Sequence, residues 1–180
     1  MNSMIFLINT IFSLYLMVVL LRFWLQWAKA DFYNPFSQFI SKATNPFLRP
    51  LRRVIPGWGG YDIAALVLAL LVVAAKLLLI QLVSGGGFPL LPLIFAIFKS
   101  LVFDAMQLVT YVLILRAILS WVSQGNNPVE QVMHQLTEPM LAPIRRLLPP
   151  MGGFDLSILV LLILMQLLPV LFGDVSGLFF

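Results

Sequence analysis

The chain has no cysteine and one histidine, His134, and only 10 % of its 180 residues are charged. Without cysteine, disulfides, thiolate-held clusters and thiol nucleophiles are excluded, and the redox compartment stays open. A lone histidine leaves a haem or metal site without the partner it needs; Met133 beside it faces elsewhere on a helix, and His134 reads as a solvent-facing loop residue. Soluble domains are about 25 % charged. Here 61 % of residues are hydrophobic and the mean hydropathy is +1.01, which is the balance of a membrane protein. The net charge of +4 is modest, and loop arginines beside anionic lipid account for it without nucleic acid. A Walker loop, a zinc spacing, a nucleophile elbow and a dinucleotide fingerprint are also absent. Gly85–Gly87 lacks the lysine of a phosphate loop and reads as a hinge. No catalytic residue, metal or cofactor is expected.

What is present is a duplication. Pro46–Asp62, PFLRPLRRVIPGWGGYD, returns 93 positions later as Pro139–Asp155, PMLAPIRRLLPPMGGFD, with nine of 17 positions identical. An internal repeat governs every later reading of the fold. Phe47, Leu48, Leu51, Val54 and Ile55, and likewise Met140, Leu141, Ile144, Leu147 and Leu148, follow helical spacing and share one face. Arg52 and Arg53, and Arg145 and Arg146, fall largely opposite. A helix of this kind beside membrane spans suits the plane of the lipid interface. Thr44 and Thr137 are expected N-caps, with Pro46 and Pro139 in the first turn. Pro56 and Pro149 should stop the helix. Gly59–Gly60 and Gly152–Gly153 then turn the chain, and Asp62 and Asp155 cap the helix that follows.

Around the repeated stretch the chain divides into a first unit, 1–84, a Gly/Pro linker, 85–99, and a second unit, 100–180. Spans are expected at about 5–27, 63–83, 101–122 and 155–172, each near the ~20 residues that cross a hydrocarbon core. Met1–Met4 carries no lysine or arginine, and the apolar run that follows exceeds the h-region of a signal peptide. It is read as a retained anchor. Asn34-Pro35 and Asn127-Pro128 each start a helix, so each long loop should hold two short helices on the membrane. Phe88–Val122 is too long for one straight crossing, with Pro89 and Pro92 near its start and Lys99 interrupting it, so Leu90–Phe98 is expected to be a short interfacial or re-entrant piece. An extra crossing there would invert the second half relative to the first.

Seven lysines and arginines lie in the two long loops (Lys29, Lys42, Arg49, Arg52, Arg53, Arg145, Arg146). The positive-inside rule therefore puts both loops in the cytoplasm and both termini in the periplasm, as a parallel repeat of four spans. Arg22 and Arg116 lie six residues before Trp27 and Trp121. Each either snorkels to the interface or pairs inside the bundle, with Asp62 or Asp155 as possible anions. Lys76 and Asp104 are the other charges within spans. They invite an intramembrane ion pair, structural or part of a solute path. Gln81, Gln107 and Gln166 can bond between helices or line such a path.

The doubled P-x-L-x-P-x-R-R-x-x-P-x-x-G-G-x-D, with the preceding Leu-Arg…Trp and Asn-Pro, resembles the YggT family of small bacterial and plastid membrane proteins. The likeness covers nearly the whole chain except Gly85–Lys99. It implies an inner-membrane protein without known catalysis. Plastid relatives are linked to assembly of cytochrome b6 with its haem and to nucleoid organisation, bacterial ones to division and osmotic response. The family's Asp-x-Ser is matched at Asp155-Leu156-Ser157 but not at Asp62-Ile63-Ala64, and a haem role finds no histidine ligand here. The expected function is a non-enzymatic scaffold or assembly factor. It would dock anionic lipid, or a membrane or cytoplasmic protein, through the arginines, and association with a second copy is compatible with it. The alternative is a small transporter or channel.

Overall fold

A computed structural model describes residues 2–55, 57, 60–87, 90–122, 127–147 and 156–179. The architecture is all-helical, with no strand among the described residues. The described residues form six helices, α1 (Asn2–Trp27), α2 (Pro35–Val54), α3 (Ile63–Ser84), α4 (Leu90–Val122), α5 (Pro128–Leu147) and α6 (Leu156–Phe179). The order apolar–amphipathic–apolar occurs twice. Within each half all three helices pack on one another, and between halves α3 and α1 pack on α4 and α2 packs on α5. Ser3–Trp27, Ile63–Ser84 and Leu90–Ser120 are long and apolar enough to cross a membrane, and Leu156–Leu171 is a shorter apolar helix. The chain is a membrane protein.

Local chemistry explains most boundaries. Asn34 caps α2, its Oδ1 accepting from the Phe36 N–H at 2.9 Å, and Asn127 does the same for α5 through Val129 at 2.9 Å. Proline follows at the first helical position, where no intrahelical N–H is needed. Gly85 ends α3 in the left-handed region (φ 70°). There the Gly86 N–H reaches the Gln81 carbonyl and the Gly85 N–H the Leu82 carbonyl, the paired bonds that close a helix C-terminus. Lys29 ends α1 with the same two bonds and φ 51°.

Three expectations fail. The long loops do not hold two short helices each; α2 and α5 run without a break through Pro46 and Pro50 and through Pro139 and Pro143. Thr44 and Thr137 are therefore not caps. They are fully buried mid-helix, donating to the carbonyls of Ile40 (2.8 Å) and Met133 (2.7 Å). A buried stripe, Ser37, Ile40, Thr44 and Leu48, passes straight through the proline region. The carbonyls freed by the prolines belong to exposed residues, Lys42 and Pro46 in α2 and Gln135 and Pro139 in α5, so solvent or headgroups can satisfy them. The third failure is at Leu90–Phe98. These residues are the opening turns of α4, and Lys99 does not interrupt it. At 33 residues, α4 is about 50 Å long at 1.5 Å per residue, well beyond a ~30 Å core. Pro56, Pro149, Gly59, Gly152, Gly153 and Asp155 lie outside the described residues.

Packing differs between the halves. Ala64, Ala65 and Ala69 on α3 are buried against α1, and small residues let helix backbones approach closely. The corresponding residues of α6 are Ser157, Ile158 and Leu162. Further along α6, at Met165, Gln166 and Pro169, α4 and α6 leave a cleft of about 360 Å³ lined also by Gln107, Thr110 and Tyr111. The larger core joins α1 and α3 with Val132, Met133 and Leu136 of α5, so the second half leans on the first.

Copying the α6 residue into α3 by Ala69→Leu should overpack the α1–α3 seam and destabilise the protein by about 1–3 kcal/mol. Thermal unfolding of the purified variant in detergent measures this, and an unchanged midpoint would contradict the close-packed seam.

Candidate functional site

The polar chemistry collects in two places: where α2 and α5 meet the long helices, and within the span bundle. At the first, Arg22 and Arg116 leave their apolar helices with only 8 % of their surface exposed. The guanidinium of Arg22 donates to the Ser41 hydroxyl of α2 and lies over the Phe32 ring, 5.1 Å from its centroid. That of Arg116 donates to the Thr137 hydroxyl of α5 and lies 3.6 Å from Glu138. Each arginine thus fastens a span to the amphipathic helix of its own half. Neither pairs directly with Asp62.

The four arginines of the repeated motif separate into two kinds. Arg52 is ion-paired with Asp62. Asp62 is 4 % exposed and caps α3, its Oδ1 accepting from the Ala65 N–H at 3.2 Å. Arg52 therefore bridges the end of α2 to the start of α3. Arg145 pairs with Glu138 at 2.9 Å. Arg53 and Arg146 are exposed, and neither forms an ion pair with any described residue. Sequence spacing treats the four as one surface; the fold commits one of each pair to an internal contact.

Glu138 was not singled out from sequence. It gathers Arg116, Arg145 and His134, whose Nε2 lies 3.5 Å away. Its spacing, four residues after His134 and seven before Arg145, was the available signal. The first half has Asn45 at the corresponding position, which is why the halves solve the same problem with different anions. His134 is exposed, and no cluster able to hold a metal occurs among the described residues.

Two hydrogen bonds join the halves directly beside α2 and α5. The Asn34 side-chain amide donates to the Pro128 carbonyl at 2.8 Å, and the Asp31 N–H donates to Gln135 Oε1 at 3.0 Å.

On α2 three faces are distinguishable. One is buried, through Ile40, Thr44 and Leu48. A second is apolar yet exposed, with Phe39, Phe47 and Val54 at 64, 56 and 81 %. The third is basic and exposed, with Lys42, Arg49 and Arg53. The apolar residues that sequence spacing puts on one face are thus divided: Leu48 enters the core, while Phe47 and Val54 point outward. On α5 the residues matching Phe39 and Ala43 are Val132 and Leu136, and both are fully buried. Glu130 and Glu138 also offset Arg145 and Arg146 there. The unpartnered basic surface therefore belongs mainly to α2.

The second place lies within the bundle. Lys76 Nζ is 3.0 Å from Asp104 Oδ2 and donates to the Ser13 hydroxyl at 3.4 Å, while Ser100 donates to Asp104 Oδ2 at 3.1 Å. The four residues tie α1, α3 and α4 together. The Lys76 and Asp104 side chains are 5 and 15 % exposed. The glutamines do not form one path. Gln107 donates to the Tyr111 hydroxyl at 2.7 Å and lines the α4–α6 cleft with Gln166, whereas Gln81 on α3 is not part of it. Removing one member of a buried ion pair costs about 3–5 kcal/mol, because the other is left uncompensated. Lys76→Met alone should lower the level of folded protein in the membrane, and Lys76→Met with Asp104→Asn should restore much of it. Quantitative blotting of membranes tests this; a double variant no better than the single would remove the pairing argument.

Comparison with known proteins agrees with the duplication. The family described as CCB3/YggT matches residues 1–83 and again 93–175. A Vibrio alginolyticus protein is 53 % identical over 179 residues, 98 % of this chain and 97 % of the relative. The protein YggT of Escherichia coli is 46 % identical over 170 residues, 93 and 88 % of the two chains. A Pseudomonas aeruginosa protein is 47 % identical over 160 residues, 87 and 81 % of the two. No solved structure matches the chain.

Proposed function

This chain belongs to the CCB3/YggT family, and from that premise we propose that it is a non-enzymatic inner-membrane scaffold or assembly factor. Its working surface is the cytoplasmic face of α2. The observation that carries this reading is the stripe Lys42, Arg49 and Arg53, exposed and without an ion-pair partner among the described residues, beside the exposed apolar stripe Phe39, Phe47 and Val54. A helix with an apolar and a basic outer face lies in the lipid interface, apolar side down. Its cations then face anionic headgroups or an acidic partner protein, each worth about 1 kcal/mol near such a surface. Arg146 extends the surface from α5, while Arg52 and Arg145 hold the fold.

The topology that goes with it has four spans, α1, α3, α4 and α6, as two parallel halves with both long loops cytoplasmic and both termini periplasmic. The excess of lysine and arginine in the loops supports it. Single cysteines at Lys42, Glu130, Asn2 and Ser176 report it directly, since the chain has no other. An impermeant maleimide added to intact cells should label positions 2 and 176 and spare 42 and 130. Labelling of the two loops from opposite sides would overturn the parallel arrangement.

The transporter alternative rests on the α4–α6 cleft and the Lys76–Asp104 pair. The pair is buried and already satisfied by two serines, which supports a structural duty instead. The deciding comparison separates the two kinds of arginine. Arg53→Gln with Arg146→Gln should leave insertion and abundance normal and weaken capture of an acidic partner by about tenfold or more, the loss growing smaller as salt rises. Arg52→Gln, which strips Asp62 of its partner, should instead lower stability. Crosslinking and pull-down from intact membranes reads the first, and thermal unfolding the second. A partner set unchanged in the double variant, with solute flux lost on Asp104→Asn in proteoliposomes, would favour the transporter.

A further inference from the structure

Two pockets meet at Tyr61, beside the Trp27 end of α1. One is apolar, about 320 Å³, and lies between the halves. Its walls include Trp24, Trp27 and Tyr61 on one side and Ala105, Leu108 and Met140 on the other. The second is polar, about 230 Å³, walled by Arg22, Gln26, Arg52, Tyr61 and Asp62. The apolar one has the size at which small-molecule sites begin, about 300 Å³, and the polar one is smaller. Charge in the polar pocket does not cancel, since two arginines face one aspartate. Two buried donors in the walls are also unmatched: the Trp24 indole N–H and Arg22 Nε have no hydrogen-bond partner among the described residues, in side chains of residues 6 and 8 % exposed. A buried polar group without a partner costs free energy that a bound group can recover.

An apolar slot beside a cationic pocket, the two sharing Tyr61 as a wall at the level where Trp27 and Tyr61 mark a headgroup belt, suits an amphiphile. We infer that this seam holds one anionic phospholipid of the surrounding bilayer. Its phosphate lies at Arg22, Gln26 and Arg52, and an acyl chain occupies the slot between Trp24 and Leu108. The phosphate supplies acceptors to two guanidiniums, which bind phosphate oxygens in a fork. The chain fills space between α1 and α4 that the two halves leave empty. Gln26 is held toward this pocket, since its amide donates to the Gly60 carbonyl at 3.0 Å and fixes the loop that carries Tyr61. The lipid would then act as mortar between the halves. The assignment relies on the membrane-embedded reading of the chain but not on the docking surface of α2, whose residues are different.

The test uses the full chain purified in mild detergent, with phosphatidylglycerol and phosphatidylcholine of matched chains titrated by native mass spectrometry. Free glycerol phosphate and a phosphate-free alkyl maltoside serve as controls. Wild type should bind about one phosphatidylglycerol with clear preference over phosphatidylcholine, and neither control should displace it. Ala105→Phe, which fills the slot and leaves every charge in place, should abolish that preference. Arg22→Gln should weaken binding about fivefold, the share of one basic group; Arg22→Lys should recover part of it, which separates lost charge from lost folding. Ala105→Phe should capture the acidic partner as wild type does, so that failure here and failure of the docking surface remain distinct. Equal binding of the two lipids by wild type, or unchanged preference in Ala105→Phe, would overturn the assignment. Displacement by glycerol phosphate alone would make the polar pocket a free-phosphate site and overturn it too.

Discussion

Three cations buried in apolar helices set the terms on which this chain folds: Arg22 on α1, Lys76 on α3 and Arg116 on α4, each under a tenth exposed. Inside a membrane no water stands by to solvate them, so their partners must come from the protein. In each case the partner is on another helix. Arg22 reaches Ser41 on α2, Lys76 reaches Asp104 on α4 and Ser13 on α1, and Arg116 reaches Thr137 and Glu138 on α5. Apolar side chains discriminate poorly between a neighbouring helix and a lipid tail, since both are hydrocarbon. These polar contacts therefore carry much of the information about which helix lies against which. They also draw α2 and α5 into the bundle, where Leu48 and Leu136 are fully buried.

Duplication supplied the plan, and divergence supplied the differences. Alanines close the α1–α3 seam, while Ile158 and Leu162 stand at the matching positions of α6, and a cleft remains between α4 and α6 further along, at Met165 and Gln166. Phe39 in the outer apolar stripe of α2 is exposed, while its counterpart Val132 on α5 is buried in the main core; Leu147, which matches Val54, stays exposed. Asp62 receives Arg52 in the first half; Glu138 collects Arg116, Arg145 and His134 in the second. A single unit copied without change would have presented the same faces twice. This chain presents a basic face once, mainly on α2, and keeps a more neutral one on α5.

Much of the architecture was readable directly. The asparagine–proline caps of α2 and α5, the aspartate cap of α3 and the glycine end of α3 follow from short-range chemistry, and local bonds settle them. The proline pairs were misread for the same reason. Locally Pro46 and Pro139 mark the first turn of a new helix, yet α2 and α5 run through them because a continuous stripe of buried residues outweighs a few lost hydrogen bonds whose carbonyls stay accessible. Leu90–Phe98 was misread through Pro89, Pro92 and Lys99, local signals that the continuous α4 overrides.

The sequence by itself determined that this is a membrane protein, that it is built of one unit twice, and where charge would lie within and beside the long helices. Composition and periodicity are properties of the chain, and lipid acts on them without reference to tertiary contacts. Only the tertiary structure decided which charges are spent on the fold and which remain free. Arg52 and Arg53 are neighbours of the same type, and spacing alone puts both on the polar side of α2. About 100° of helical turn separates them, enough to bring one against Asp62 and leave the other facing outward. That outcome depends on where α3 begins in space, a distance no local pattern encodes.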